Sequence, residues 1–136
     1  VGAAPRAGVC GRGMYDAAGA WGGTNPFEGP LVVLTHRLED QPPDESGFYF
    51  VSGFDRALDT AIQKAGDRDV SLGGGADLIR QGLASGRVDE LVVSTAPVIL
   101  GGGKRLFDGF EEDIDLEVAA VVSSPYATHV RYRVVR

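Results

Sequence analysis

Residues 69–83, "DVSLGGGADLIRQGL", place an apolar run, three glycines and a helical pattern in direct succession. The run "DVSL" predicts a β-strand, and Leu78, Ile79 and Leu83 recur at the spacing of one helix face. Glycine inside a regular element costs about 0.5–1 kcal/mol relative to alanine. Three glycines between a strand and a helix therefore indicate either backbone angles that side chains forbid or a close approach by another group.

The rest of the chain repeats this order of strand and helix. Apolar runs that predict buried strands occupy residues 7–10, 31–35, 48–51 and 90–100. A helix is predicted after the third of these runs, where Ser52 followed by Asp55 indicates a capping box. The apolar stripe of this helix consists of Ala57, Leu58, Ala61, Ile62 and Ala65.

The end of the chain has a different pattern. Apolar and polar residues alternate in residues 116–122 and 129–135, and the loop between them predicts an antiparallel hairpin. Strands that alternate with helices imply a mainly parallel sheet covered by helices. The predicted fold class is therefore α/β, a three-layer αβα architecture with a mixed, mainly parallel sheet and a C-terminal antiparallel hairpin. The length of 136 residues suits a single domain.

Composition argues against several classes of partner. The formal net charge of −6 and the pI of about 4.8 disfavour nucleic acid and anionic membranes. Cys10 is the lone cysteine, which excludes an internal disulfide and a cysteine-based zinc cluster and fits a reducing cytoplasm. No apolar run approaches the roughly 20 residues of a membrane span. We expect a cytoplasmic protein with a small-molecule partner and no metal.

The glycines at residues 73–75 occupy a position where α/β proteins bind anions. In open α/β sheets, ligands lie where the carboxyl ends of strands meet the amino ends of helices. Main-chain amides at a helix start are unpaired and carry about half a positive charge, so they stabilise a phosphate. A tight turn without any ligand explains the glycines equally well, and the residues alone leave both interpretations open.

Two further segments carry arginines at predicted strand ends. "GRGMYD", residues 11–16, again sets a glycine between a strand and a helix, and "LTHR", residues 34–37, ends the next strand. Arg12 and Arg37 suit the extra phosphate on the ribose of NADP, because guanidinium groups bind phosphate in a bidentate manner. Taken alone, Arg37 is as readily interpreted as a solvated surface charge.

These segments together resemble one protein family. "GRGMYD" (11–16), "VVLTHR" (32–37), the long segment 69–110 and "HVRYRVVR" (129–136) are similar, in this order, to the dihydrofolate reductase-like family. The similarity is greatest to the branch around the reductase C-terminal domain of bacterial riboflavin biosynthesis. The pairing of "GGGADLIRQ" with "VDELVVSTAPVILGGGKRLF" is its most specific part.

The resemblance implies an NADPH site. In this family the Gly-Arg at the first helix start contacts NADPH phosphates, the segment after the next strand borders the adenosine end, and the glycine turn lies against the pyrophosphate. The first Gly–Gly bond of that turn is often cis, which here is Gly73–Gly74. The residues so placed against the cofactor are Gly11, Arg12, Gly13, Met14, Leu34, Thr35, His36, Arg37, Leu72, Gly73, Gly74, Gly75, Ala76, Asp77 and Leu78.

The resemblance also implies an activity. It predicts an NADPH-dependent reductase that transfers hydride to a small pterin- or pyrimidine-like heterocycle, and a homodimer. One alternative is 5-amino-6-(5-phosphoribosylamino)uracil reductase of riboflavin biosynthesis. Another is a nucleotide-binding module without turnover, which is favoured by Asp77 where some members carry a basic residue. An acidic residue at the start of a helix also interacts favourably with the helix dipole, which explains Asp77 equally well.

Members of this family begin with a central strand, a substrate loop and a helix that have no counterpart in the sequence. We expect the single domain over residues 1–136 to be incomplete at its amino end, with the missing strand between residues 69–72 and 90–98. Family members draw many substrate contacts and any protonating acid from that portion. The resemblance therefore assigns no catalytic residue to this sequence.

Overall fold

The computed structural model describes residues 7–136, which divide into two compact units, 7–81 and 82–136. Two short 3-10 turns, Leu38–Asp40 and Asp44–Ser46, and a turn with left-handed backbone angles, Gly19–Gly23, occur within the first unit. The helices and strands are β1 (Ala7–Gly11), α1 (Arg12–Ala17), β2 (Leu31–Leu34), β3 (Phe48–Val51), α2 (Phe54–Ala65), β4 (Val70–Leu72), α3 (Ala76–Ser85), β5 (Glu90–Thr95), β6 (Leu116–Ser123) and β7 (Thr128–Val134). No helix within residues 7–136 has the length and apolar character needed to cross a membrane.

The first unit contains a four-stranded parallel sheet in the order β3-β2-β1-β4. β1 pairs on both sides, with Gly11 opposite Leu34 of β2 and Val9 opposite Leu72 of β4. In a parallel sheet all carboxyl ends point the same way. The carboxyl ends of β1, β2 and β4 therefore lie together on one side of the sheet, which we call its carboxyl edge.

Each face of this sheet buries a separate apolar cluster. On one face Ala57 and Ala61 of α2, which are fully buried, pack with Val9 and Val32. Small residues on the helix let it approach the β-branched strands closely. The buried cluster of the other face consists of Cys10, Leu31, Val33, Phe48 and Phe50, with Met14, Tyr15 and Trp21 packed against it.

Aromatic contacts organise the second cluster. Trp21 stacks on Phe48 with ring centroids 6.0 Å apart, and Tyr15 meets Phe48 edge-on at 5.1 Å. Trp21 holds a left-handed backbone, with φ of 48°, in the Gly19–Gly23 turn. A non-glycine residue in this region is uncommon and strained, so packing of the indole ring offsets a local cost.

Two predictions about α2 are wrong in detail. Ile62, placed in its apolar stripe, is 44% exposed, whereas the other four members of the stripe are buried. The helix begins after Gly53 without a side-chain cap, so Ser52 and Asp55 form no capping box. Periodicity identified the helix, whereas the limit of its buried face and the structure of its first turn depend on other segments of the same chain.

The second unit contains an antiparallel sheet in the order β5-β7-β6. The predicted C-terminal hairpin is confirmed, with Val121 opposite Val130 and a turn in which Ser124 N donates to Ala127 O at 2.9 Å. The apolar run 90–100 was predicted to be one buried strand, but β5 ends at Thr95. Val92 of β5 is 59% exposed.

The predicted α/β class is confirmed, but the strands are divided between two sheets. β5 joins the antiparallel hairpin, so the four-stranded sheet is parallel throughout and the three-stranded sheet is antiparallel throughout. β4 is an edge strand of the first sheet and β5 is an edge strand of the second.

We expect Phe48→Ala to lower the free energy of unfolding by about 3–5 kcal/mol, because it removes a fully buried aromatic side chain and leaves a cavity under Trp21. Urea denaturation followed by circular dichroism measures this loss. Tyr126→Ala is the control, since Tyr126 is 84% exposed and its loss should change stability by less than about 0.5 kcal/mol. Equal effects of the two changes would contradict the core assignment.

Candidate functional site

The candidate site lies at the edge where the ends of β1, β2 and β4 meet. Each of these strands leads directly into a segment singled out in the sequence: β1 into α1, β2 into Thr35–His36–Arg37, and β4 into the glycine turn, residues 73–75. The parallel register thereby brings together three segments that are distant in the sequence.

The glycine turn is hydrogen-bonded to the end of β1. Gly11 N donates to Gly74 O at 2.7 Å, and Gly73 N donates to Val9 O at 2.8 Å. Two of the main-chain amides expected to face a phosphate are thus already satisfied within the protein. The turn therefore has a structural role, because its hydrogen bonds connect the end of β4 to β1.

Packing does not require glycine at the glycines of this site, whereas the backbone of Gly74 does. A Cβ on Gly11 would lie 3.6 Å from Gly75 N, and one on Gly74 would lie 3.5 Å from the Sδ atom of Met14. Gly74 also has a φ of 129°, which side chains rarely adopt. A Cβ on Gly75 or Gly13 would meet nothing within 4 Å, and both residues are exposed. The open space lies over Gly75 and Gly13.

The cis peptide bond predicted at Gly73–Gly74 lies one residue later, between Gly74 and Gly75. The position predicted from the resemblance is therefore wrong by one residue, although the bond does fall inside the glycine turn.

Arg12 is held by three side chains. Its Nε–H donates to Asp16 Oδ1 at 2.9 Å, and one of its terminal nitrogens donates to Asp40 Oδ2 at 2.9 Å. Another terminal nitrogen donates to Thr35 Oγ1 at 3.3 Å. The hydrogen bond to Asp16, and then that to Asp40, raises the pKa of the Arg12 guanidinium above its usual value. The group stays charged at every physiological pH.

Aromatic rings hold the guanidinium of Arg12 from a second side. Its Cζ lies 5.1 Å from the ring centroid of Phe50 and 5.6 Å from that of Tyr15. Its side chain is only 19% exposed. Cation–π contact and burial restrict this cation to one place.

Arg37 belongs to the same group but is freer. Its guanidinium lies 3.6 Å from Asp16 Oδ2 and 3.8 Å from Asp40 Oδ2, and its side chain is 58% exposed. Its main-chain amide donates to Oγ1 of the buried Thr35 at 3.1 Å. The segment after β2 is therefore tied to the end of the strand, while the charge of Arg37 faces solvent.

A cleft of about 400 Å³ opens between these groups. It is lined by Arg12, Leu34, Thr35, His36 and Arg37, all of which were predicted from the sequence to border a cofactor. His36 is exposed at its rim.

The two carboxylates that contact the arginines were not predicted. Asp16 follows Arg12 by one helical turn, a spacing that favours an ion pair, whereas nothing in the sequence indicates Asp40.

The remaining predicted residues surround the glycine turn in different roles. Leu78 is buried in the core cluster with Val9, and Leu72 packs against it. Asp77 is exposed in the first turn of α3, which begins at Ala76, and its carboxylate lies 3.2 Å from Arg80. Leu78 and Leu72 are thus structural at the level of their side chains.

A second cleft of about 400 Å³ lies on the aromatic face of the sheet. Its apolar walls include Cys10, Met14, Trp21, Phe27, Pro30 and Leu31. Burial raises the pKa of the Cys10 thiol to about 11.

This architecture is that of the dihydrofolate reductase-like α/β proteins. A dihydrofolate reductase from Enterococcus faecalis, solved in complex with NADP(H), superimposes with a TM-score of 0.70 at 17% identity, over 94% of this chain and 73% of that one. A candidate riboflavin biosynthesis protein from Shewanella sp. PV-4 superimposes with a TM-score of 0.81 at 24% identity, over 97% of this chain and 75% of that one.

The family follows from the sequence match. The model of the RibD C-terminal domain matches residues 12–130, and the chain belongs to this family. Among curated proteins, the uncharacterized protein YwjB of Bacillus subtilis is 21% identical over 124 residues, which is 91% of this chain and 71% of that protein.

We expect the Cys10 thiol to resist a disulfide reagent in the folded protein. With a pKa of about 11, about one thiol in a thousand is ionised at about pH 8, and the thiolate is the reactive form. The absorbance of the thiolate that the reagent releases should show slow labelling of the folded chain and rapid labelling in concentrated urea. Equally fast labelling in both states would contradict the burial of Cys10.

Proposed function

We propose that this protein is an NADPH-dependent reductase that transfers hydride to a small pterin- or pyrimidine-like heterocycle. One observation carries the proposal: two arginines flank a single cleft at the carboxyl edge of a parallel sheet, beside the glycine turn. The chain belongs to the RibD C-terminal domain family, and this membership supports reductase chemistry at the carboxyl edge of the sheet.

The residues at this edge fit a phosphorylated dinucleotide. The space over Gly75 and Gly13 is open to a polyphosphate, since nothing lies within 4 Å of where their Cβ atoms would be. Arg12 and Arg37 supply guanidinium donors in the neighbouring cleft, where an adenosine 2′-phosphate would bind between Leu34 and Arg37. NADPH, when bound, supplies the hydride for the carbon of a C=N or C=O bond.

The chain's own contribution is binding and orientation. Arg12 is fixed in advance by Thr35, Phe50 and Tyr15, so little side-chain freedom is lost when a phosphate binds to it. Arg37 is exposed and can reorient toward the ligand. The hydrogen bonds of the glycine turn to β1 hold the floor of the site rigid.

The acceptor molecule defines the narrower alternatives. Riboflavin biosynthesis in the names of solved relatives favours 5-amino-6-(5-phosphoribosylamino)uracil as one substrate to test. A nucleotide-binding module without turnover is the second candidate function, and Asp77 in the first turn of α3 favours it, since some members of the family carry a basic residue there. NADPH oxidation with a panel of pterins and pyrimidines separates the two, once binding has been measured. The proposal includes a homodimer in the cytoplasm.

We expect Arg12→Ala and Arg37→Ala each to weaken NADPH binding by about tenfold or more, because each removes a charge-assisted hydrogen bond worth about 1.5–3 kcal/mol. NADH lacks the 2′-phosphate and should lose much less affinity. Titration of nicotinamide fluorescence measures both dissociation constants. Arg37→Ala is informative even where Arg12→Ala unfolds, since Arg37 is 58% exposed.

Lys64→Ala is the matched control for lost positive charge. Lys64 lies in the last turn of α2, at the opposite end of the sheet, where its ammonium sits 3.9 Å from the ring centroid of Tyr49. It should leave both dissociation constants unchanged. Equal losses of NADPH and NADH affinity in the arginine variants, or no NADPH binding by the unchanged protein at millimolar concentration, would refute the cofactor assignment.

A further inference from the structure

Arg12, Asp16, Arg37 and Asp40 form a closed cycle of alternating charges, which we name the arginine–aspartate ring. Asp16 contacts Arg12 at 2.9 Å and Arg37 at 3.6 Å. Asp40 contacts Arg12 at 2.9 Å and Arg37 at 3.8 Å. Each carboxylate thus bridges both guanidinium groups, and the formal charges of the ring cancel.

The ring leaves Arg12 with few free donors. A guanidinium has five N–H groups, and Asp16, Asp40 and Thr35 each accept one of those of Arg12. A phosphate that enters the cleft must therefore displace a carboxylate oxygen or bind beside it. In either case the phosphate meets two negative charges in addition to two positive ones.

The members of the ring differ in how firmly they are held. Arg12 is 19% exposed and lies against aromatic rings, whereas Asp16 and Asp40 are 49% and 42% exposed. Asp40 ends the short turn Leu38–Asp40, whose main-chain bond to Arg37 O is 3.2 Å long. The carboxylates are the members that an incoming anion can displace.

We infer that Asp16 and Asp40 lower the selectivity of this cleft for NADPH over NADH, by competing with a ribose 2′-phosphate for Arg12 and Arg37. This inference rests on the proposed NADPH site. A ribose 2′-hydroxyl can donate a hydrogen bond to a carboxylate, whereas a 2′-phosphate is repelled by it. The two aspartates therefore narrow the preference for NADPH over NADH that the two arginines create.

The test compares Asp40→Asn and Asp16→Asn with the unchanged protein. Asparagine keeps the shape and its amide oxygen can still accept a hydrogen bond from Arg12, while the negative charge and one acceptor oxygen are removed. A phosphate on the arginines would lie about 4 Å from each carboxylate, and two like charges at that separation repel by about 1 kcal/mol in water, so loss of one carboxylate charge should strengthen NADPH binding by about fivefold. NADH binding should stay unchanged or weaken. Fluorescence titration measures both.

A second pair of probes removes the nicotinamide from the comparison. Adenosine 2′,5′-bisphosphate and adenosine 5′-monophosphate differ only in the 2′-phosphate, and calorimetry gives their affinities without any turnover. The Asn variants should bind the bisphosphate more tightly and the monophosphate no more tightly. A merely structural role for the aspartates would change both affinities alike.

Glu39→Gln is the matched control, because Glu39 is the neighbour of Asp40 in the same turn and carries the same charge outside the ring. It should change the NADPH-to-NADH ratio by less than about twofold. If the unchanged protein binds NADPH and the Asn variants bind it no more tightly, the inference about the aspartates is overturned and the cofactor site stands. If neither the unchanged protein nor the variants bind a dinucleotide, the proposed function falls with it.

Discussion

The site depends on the pairing of β1 with a strand on each side. Because β1 is parallel to both β2 and β4, Arg12, Thr35 and the glycine turn all begin at one edge. The hydrogen bonds from Gly11 and Gly73 then join the glycine turn to β1. Apolar packing on both faces fixes the register, since a shift by one residue would move each buried side chain from the cluster on its own face to the opposite face.

Electrostatics decides what this edge can hold. A parallel sheet with a glycine turn offers an anion site by geometry alone, yet here two carboxylates are built into it. An anion at the proposed site would therefore compete with these carboxylates for the two arginines. In the proposed site, the affinity for a phosphorylated ligand would therefore depend on single charges.

Local patterns predicted the strands, the helices and the segments at the sheet edge, because each depends on residues close in sequence. The pairing of Arg12 with Asp40, 28 residues away, was not predictable, since the loop that carries Asp40 has no periodicity. The pairing of β5 was likewise missed, because an apolar run does not reveal its partner strand. The binding role of the predicted residues remains a prediction; their assembly at one edge is a property of the fold.

The position of Trp21 gives the molecule an optical asymmetry. Trp21 is the only tryptophan, and it is stacked on Phe48 in the unit of residues 7–81. Residues 82–136 include no tryptophan, and their tyrosines are Tyr126 and Tyr132. Indole emission therefore follows the parallel sheet alone, while the far-ultraviolet signal follows both sheets. Coincident melting curves would indicate that both units unfold in one cooperative step, and different curves would indicate two steps.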